Sequence, residues 1–243
     1  MAFRIEARAG ACLVALLAIA PAAGQEYTYR VRHEHWRKFC SGTLTISAGG
    51  VTYTEAGGKK RKEPHHFAWK YDGIQQLSLE ARRLTVLTYE DVRLKLGADR
   101  EFRFTAEQGQ TFEDAYPLLS KLDQRFVAEI PLEVANPEWS MPVKHLYRMG
   151  GSQGELVVGA DRIVYRTAKP GDSRTWRFED IESISTGGPF SLTLTTFERS
   201  RVQYGSRKDF HFQLKEAMPE ARFQALWRKL ESFHTANALV RTR

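Results

Sequence analysis

The sequence repeats itself over the length of a whole domain, and this repeat limits the possible folds more than any other feature. Gly42-Thr-Leu-Thr-Ile-Ser-Ala-Gly-Gly-Val-Thr-Tyr53 returns as Gly154-Glu-Leu-Val-Val-Gly-Ala-Asp-Arg-Ile-Val-Tyr165, with Gly, Leu, Ala, an aliphatic residue and Tyr in the same places. Trp69, Tyr71, Ile74 and Leu77 then answer Trp176, Phe178, Ile181 and Ile184, and Leu84–Glu90 answers Leu192–Glu198. Phe102 and Phe104 match Phe210 and Phe212, and Ala115, Leu118, Leu119 and Leu122 match Phe223, Leu226, Trp227 and Leu230. The offset stays between 107 and 112 residues, well above the roughly 20–50 residues of a solenoid unit. Each copy is therefore expected to be a domain.

Residues 1–24 stand outside the repeat. They carry Arg4 and Arg8, the apolar run Ala9–Pro21, and small residues Ala22, Ala23 and Gly24 at its end. This is the layout of a signal peptide, and the apolar run falls short of the roughly 20 residues that a membrane-spanning helix needs. Cys12 lies early within the apolar run and does not follow it, so it does not mark a lipid anchor. Cleavage near Gln25 would leave 34 basic against 28 acidic residues, net +6, an exported chain that is periplasmic or secreted and has no transmembrane segment. A chain with 42% hydrophobic and 27% charged residues has enough apolar surface to fold, which excludes a disordered polyelectrolyte. The remainder suits two cores of roughly 100 residues each. Cys40 is the one cysteine left, so neither copy is an internally bridged disulfide scaffold.

The first copy reads as short segments rich in Val, Thr, Tyr, Phe and Leu with turn residues every 8–12 positions, the pattern of an all-β unit. Leu44–Ser47 and Val51–Tyr53 form a hairpin about Gly49-Gly50, and a second hairpin is expected from Phe67–Tyr71 through Asp72-Gly73 to Ile74–Leu79. Leu84–Tyr89, Val92–Leu96 and Glu101–Thr105 bring the expected strands to seven. After Gly109 the apolar spacing changes to three and four. This predicts a helix over Thr111–Asp123 with Thr111 as N-cap and Pro117 inside it. Copy two ends likewise, with Phe223, Leu226, Trp227, Leu230 and Phe233 making a stripe from Pro219 to about His234. The domains run over residues 25–123 and 143–235, followed by a tail over 236–243. Between them lies an apolar linker, 124–142, kept extended by Pro131, Pro137 and Pro142.

Seven short antiparallel strands followed by one amphipathic helix, in both copies, resembles the pleckstrin-homology (PH) superfold and its bacterial and lipid-regulatory relatives. The resemblance implies a mainly β chain of two PH-like domains, each a bent seven-stranded barrel or sandwich whose open end is plugged by the terminal helix. Leu118, Leu122, Leu226, Trp227 and Leu230 would fill that plug, and Trp69, Trp176, Tyr53 and Tyr165 would be core. Phosphoinositide-binding members carry basic residues beside the first hairpin loop; here Ser47–Gly50 and Gly159–Arg162 are short and nearly uncharged.

Three constellations carry possible chemistry. Lys59, Lys60, Arg61 and Lys62 form a cationic run on a Gly-containing loop, suited to an anionic surface, but without the aromatic platform that single-stranded nucleic acid requires. His33, His35, His65 and His66 crowd into copy one, and His33 and His35 share a face of an extended segment. With Cys40 or Glu34 nearby in sequence, three of them have the donor chemistry for zinc, although copy two keeps only His145, with Tyr147 in place of His35. Gly150-Gly-Ser152-Gln-Gly154 has the Gly-x-Ser-x-Gly pattern of hydrolases but is followed by a strand instead of a helix.

Taken together, the sequence predicts an exported, non-enzymatic binding or adaptor protein whose partner is a protein or an envelope component, with no catalytic residue and no cofactor assigned. The alternatives are a metal-dependent or serine hydrolase using the histidines of copy one or the Ser152 turn, and attachment to anionic envelope surfaces through Lys59–Lys62.

Overall fold

The computed structural model describes residues 25–35, 38–57, 64–92, 97–107, 109–122, 126–199 and 207–241. Residues 1–24 and the Lys59–Lys62 run lie outside these. Copy one contains β1 (Tyr27–Glu34), β2 (Phe39–Ser47), β3 (Gly50–Glu55), β4 (His66–Trp69), β5 (Ile74–Glu80), β6 (Arg83–Asp91), β7 (Asp99–Ala106) and the short helix α1 (Tyr116–Leu119). A connecting strand, β8 (Phe126–Glu129), leads to β9 (Trp139–Leu146), β10 (Gly151–Val158), β11 (Arg162–Thr167), β12 (Arg174–Arg177), β13 (Ile181–Ser185), β14 (Ser191–Arg199), β15 (Arg207–Leu214) and helix α2 (Glu220–Arg241).

The chain is mainly β, and the repeat is visible in how its strands are ordered. Copy one contributes β5-β6-β7-β1-β2-β3-β4 and copy two β13-β14-β15-β9-β10-β11-β12, with β8 between β12 and β5 in one open series of fifteen strands. Strands of the two copies do not interleave, and each copy has its own apolar core. The alternation of buried and exposed residues that lets a strand serve one core face runs clearly along β2, where Cys40, Gly42, Leu44 and Ile46 point inward. Gly42 and Gly154 are required by close approach. A Cβ on Gly42 would lie 2.3 Å from the Thr54 carbonyl and 2.7 Å from the Tyr53 ring, and one on Gly154 would lie 2.1 Å from the Arg166 carbonyl and 2.7 Å from the Tyr165 ring. The repeat thus keeps a glycine wherever a tyrosine ring must cross the neighbouring strand.

Several expectations are corrected. The helix expected over Thr111–Asp123 is reduced to a 3-10 turn, Glu113–Ala115, running into α1. Pro117 occupies the first turn of α1; it has no N–H to offer the Glu113 carbonyl, so it opens a short helix instead of bending a long one. Thr111 is not its cap. Phe112 precedes the turn and is buried. Asp72-Gly73 makes no hairpin. It sits in a 3-10 turn over Tyr71–Gly73 without the positive φ that an Asp-Gly hairpin turn needs, and β4 and β5 lie at opposite ends of their copy's strand order. Copy one has a strand that was not expected, β1; of the strand expected over Val92–Leu96, residues 93–96 lie outside the described residues.

The linker is not merely extended. Its Phe126–Glu129 forms β8, which pairs in parallel with β5 and through Thr175↔Ala128 with β12. Pro142 lies within β9, one residue beyond the last pair with β15, Val143↔Leu214; its carbonyl still accepts the Lys215 N–H at 3.0 Å, while its missing N–H makes no reciprocal bond. At the other end, α2 continues past the expected tail boundary to Arg241. Of the expected core, Tyr53, Tyr165, Trp176, Leu226 and Leu230 are buried, while Trp69, Leu118 and Leu122 are partly buried against the copy-one core. Trp227 is 43% exposed and is not core: Leu226 and Leu230 occupy the buried stripe of α2, and residue 227 is rotated off it.

Candidate metal centre

Strand alternation and hairpin register bring the donors together. β1 buries Tyr29, Val31 and His33 on one face, and His35 follows two residues on. β2 returns antiparallel with Cys40 directly opposite His33. His65 arrives just ahead of β4, its carbonyl accepting the Glu55 N–H at 2.8 Å. His33, His35, Cys40 and His65 each present a ligand atom within 4.8 Å of the others. The Cys40 sulfur is 3.1 Å from His35 Nε2, 3.7 Å from His33 Nδ1 and 3.9 Å from His65 Nδ1. A tetrahedral ion with metal–nitrogen bonds of about 2.0–2.1 Å and a metal–sulfur bond of about 2.3 Å sets nitrogen–sulfur edges at about 3.5 Å, which these three distances bracket.

The surroundings suit a neutral ligand set. His33 is 4% and Cys40 8% exposed; the His33 ring stacks on Phe104 at 5.0 Å and lies 5.6 Å from Phe67 and 5.4 Å from Tyr53. Burial, reinforced by the neighbouring His35 and His65, lowers the His33 pKa to about 4, so near neutral pH its imidazole keeps the lone pair a metal needs. A thiolate with three neutral imidazoles around it is a donor set that a divalent cation can bridge. Among the described residues this is the group of histidine, cysteine and carboxylate side chains with metal-ligand spacing.

His66 and Glu34 do not join the set. Neighbours in a strand face opposite ways, and His66 turns out to lie 3.1 Å from Thr54 Oγ1, while Glu34 accepts from Thr105 Oγ1 at 3.0 Å. Two outer residues were hidden in the sequence. Tyr53 has its hydroxyl 3.2 Å from the Cys40 sulfur and 3.2 Å from the Cys40 carbonyl. Glu55 Oε2 accepts the His65 backbone N–H at 2.8 Å and lies 3.6 Å from His65 Nδ1. Their i, i+2 spacing on β3 was the available signal, since it puts both side chains on one face of the sheet, beside those of Leu44 and Gly42 of β2.

Copy two fills the same places with other chemistry. His145 stands opposite Ser152, as His33 stands opposite Cys40, Tyr147 replaces His35 and Asp172 replaces His65. The Tyr147 hydroxyl donates to Asp172 Oδ2 at 2.6 Å and lies 2.7 Å from Ser152 Oγ, which is 2.8 Å from the Tyr165 hydroxyl. Burial, with the Asp172 hydrogen bond behind it, raises the Tyr147 pKa to about 12. His145 is buried, which lowers its pKa to about 4, and its Nδ1 has no hydrogen-bond partner. Ser152 therefore lies inside β10 and not in a turn, is buried, and has its hydroxyl held between two tyrosines; this is not a nucleophile elbow.

No family model and no curated protein matches this sequence. Among solved structures, the C-terminal domain of an unknown protein from Leishmania infantum is matched at 10% identity and a TM-score of 0.30, covering 49% of this chain and 94% of that one. The Spt16D Pob3N heterodimer is matched at 9% identity and a TM-score of 0.28, covering 81% of this chain and 99% of that one. Likeness at these TM-scores carries no argument about function.

Proposed function

We propose that this chain is an exported tandem of PH-like domains whose first copy holds one transition-metal ion, Zn2+ being the ion best suited to the donors, on His33, His35, Cys40 and His65. The observation that carries the reading is the convergence of three imidazoles and one thiol within 4.8 Å of one another. One sulfur and three nitrogen donors match the borderline-soft character of zinc and exclude magnesium and calcium, which take oxygen. The recurrence of one strand order in both copies supports the duplicated PH-like architecture, and the basic, apolar and small-residue order of residues 1–24 supports export.

Four protein donors complete a tetrahedral ion and leave no position for an activated water, which favours holding the metal over hydrolysis with it. The protein purified in metal-free buffer should take up one Zn2+ or Co2+ per chain, and the cobalt form should show a thiolate-to-metal charge-transfer band. Cys40→Ser should remove that band and the tight uptake. Equal uptake by wild type and Cys40→Ser, or preference for calcium, would sink the reading; tighter capture of Cu+ than of Zn2+ would replace zinc by copper as the resident ion.

A further inference from the structure

The four donors do not explain why they stay gathered. His33 and Cys40 are fixed by the β1–β2 ladder, but His65 precedes β4 and His35 follows β1, both outside regular pairing. What meets them comes from one strand. On β3, Tyr53 and Glu55 share a face, the former reaching the sulfur and the latter the backbone and ring of His65. The Glu55–His65 segment is clamped from both sides: the Glu55 N–H donates to the His65 carbonyl at 2.8 Å, and the His65 N–H donates to Glu55 Oε2 at 2.8 Å.

Resting on the metal-binding reading above, we propose that Glu55 and Tyr53 are positioning residues which assemble the metal site before the ion arrives. Glu55 latches His65 as the fourth ligand, and Tyr53 holds the Cys40 sulfur toward the three imidazoles. Copy two separates the two roles. Tyr165 repeats the tyrosine contact, donating to the Ser152 carbonyl at 2.8 Å, so this contact alone belongs to the shared scaffold. Thr167 stands in place of Glu55, and its N–H is served by Ser173 Oγ at 3.2 Å. The carboxylate latch therefore occurs only where a histidine must be presented. In copy one the same tyrosine also faces a sulfur, its hydroxyl lying 3.2 Å from Cys40 Sγ, the place of an outer partner that orients a metal ligand.

The test uses the full chain, apo, titrated with Co2+ and with Zn2+ in competition with a chelator. Glu55→Gln and Tyr53→Phe should each weaken binding by about 10–100-fold, the usual range for outer partners of metal ligands. Glu55→Gln should also change the cobalt ligand-field bands as His65 is exchanged for water, and Tyr53→Phe should shift the thiolate charge-transfer band. Tyr165→Phe, the same deletion in copy two, should leave affinity and spectrum unchanged. Glu55→Asp, too short to reach the His65 N–H, serves if the glutamine variant does not fold and should behave like it. Wild-type affinity and spectra in the Glu55 and Tyr53 variants, or an equal loss in Tyr165→Phe, would overturn the proposal while leaving metal binding intact. Absence of uptake by the wild type would instead overturn the parent reading, and this one with it.

Discussion

Copy one and copy two build the same hairpin corner from the same strand order, yet one corner gathers electron-pair donors around a sulfur and the other closes a ring of hydroxyls upon a carboxylate. His33, His35, Cys40 and His65 correspond to His145, Tyr147, Ser152 and Asp172. The second set satisfies itself through short hydrogen bonds, from Tyr147 to Asp172 at 2.6 Å and between Tyr147 and Ser152 at 2.7 Å. The first set places three imidazole nitrogens within 3.9 Å of the Cys40 sulfur. The difference teaches that the scaffold tolerates a polar cluster at this corner, and that the side chains decide whether it is closed by hydroxyls or presents metal-ligand donors.

The largest way to break this comparison is to remove the sulfur. At a Zn2+ concentration about 100 times Kd, binding should stabilise the wild type by about 2.7 kcal/mol, which raises Tm by roughly 5–11 °C for a chain of this size. Cys40→Ser should show none of that shift in a thermal melt. The comparison is sharpened by transplanting it: Tyr147→His, Ser152→Cys and Asp172→His together, with His145 already in place, should raise the stoichiometry to two ions per chain by elemental analysis. An unchanged stoichiometry would mean that the backbone frames differ more than the strand order suggests.

A third test concerns the terminal helices, where the repeat equates Leu119 with Trp227. Leu119 is wholly buried and Trp227 43% exposed, so Leu119→Ala should cost about 2–5 kcal/mol and Trp227→Ala clearly less, about 1 kcal/mol, in denaturant unfolding. A fourth test is in pH dependence. His145 has a folded pKa near 4 against an ordinary value of 6.5. As pH falls from about 6.5 to about 4, the unfolded chain binds a proton that the folded chain does not, so stability declines across that window by at most about 1.4 kcal/mol per pH unit for this group. In His145→Phe the slope of apo-protein stability against pH should be shallower by that amount.

The repeat made the fold largely readable. Gly42 and Gly154, Tyr53 and Tyr165, and the stripe through Leu226 and Leu230 mark a β-rich unit and a closing helix, because alternation and helical spacing are local signals. β1 was also legible and went unread: Tyr27, Tyr29 and Val31 alternate with Thr28, Arg30 and Arg32. Two elements were not local. β8 is strand only because two other strands receive it. The weak helix of copy one turned on Pro117 occupying a first turn, a position that spacing alone does not distinguish from a kink. At the site, the histidines and Cys40 were visible as donors, but their meeting depended on the pairing of residue 33 with residue 40. Asp172 became recognisable as the partner of His65 only once the offset of 107 residues that relates Trp69 to Trp176 is carried back to the loop before them.

The seam at β8 has a mechanical consequence. Among the described residues it is the one place where paired strands run in the same direction, with four residue pairs to β5 and a single bridged pair to β12, reinforced by the Arg174–Glu129 ion pair at 2.8 Å and by Thr175 Oγ1 donating to the Ile130 carbonyl at 2.7 Å. Arg199 of β14 also bonds across to Gln75, Gln76 and Asp99, and Arg177 donates to the Leu122 carbonyl at 3.0 Å, so a load applied across the tandem would be shared between that splice and these side-chain clasps.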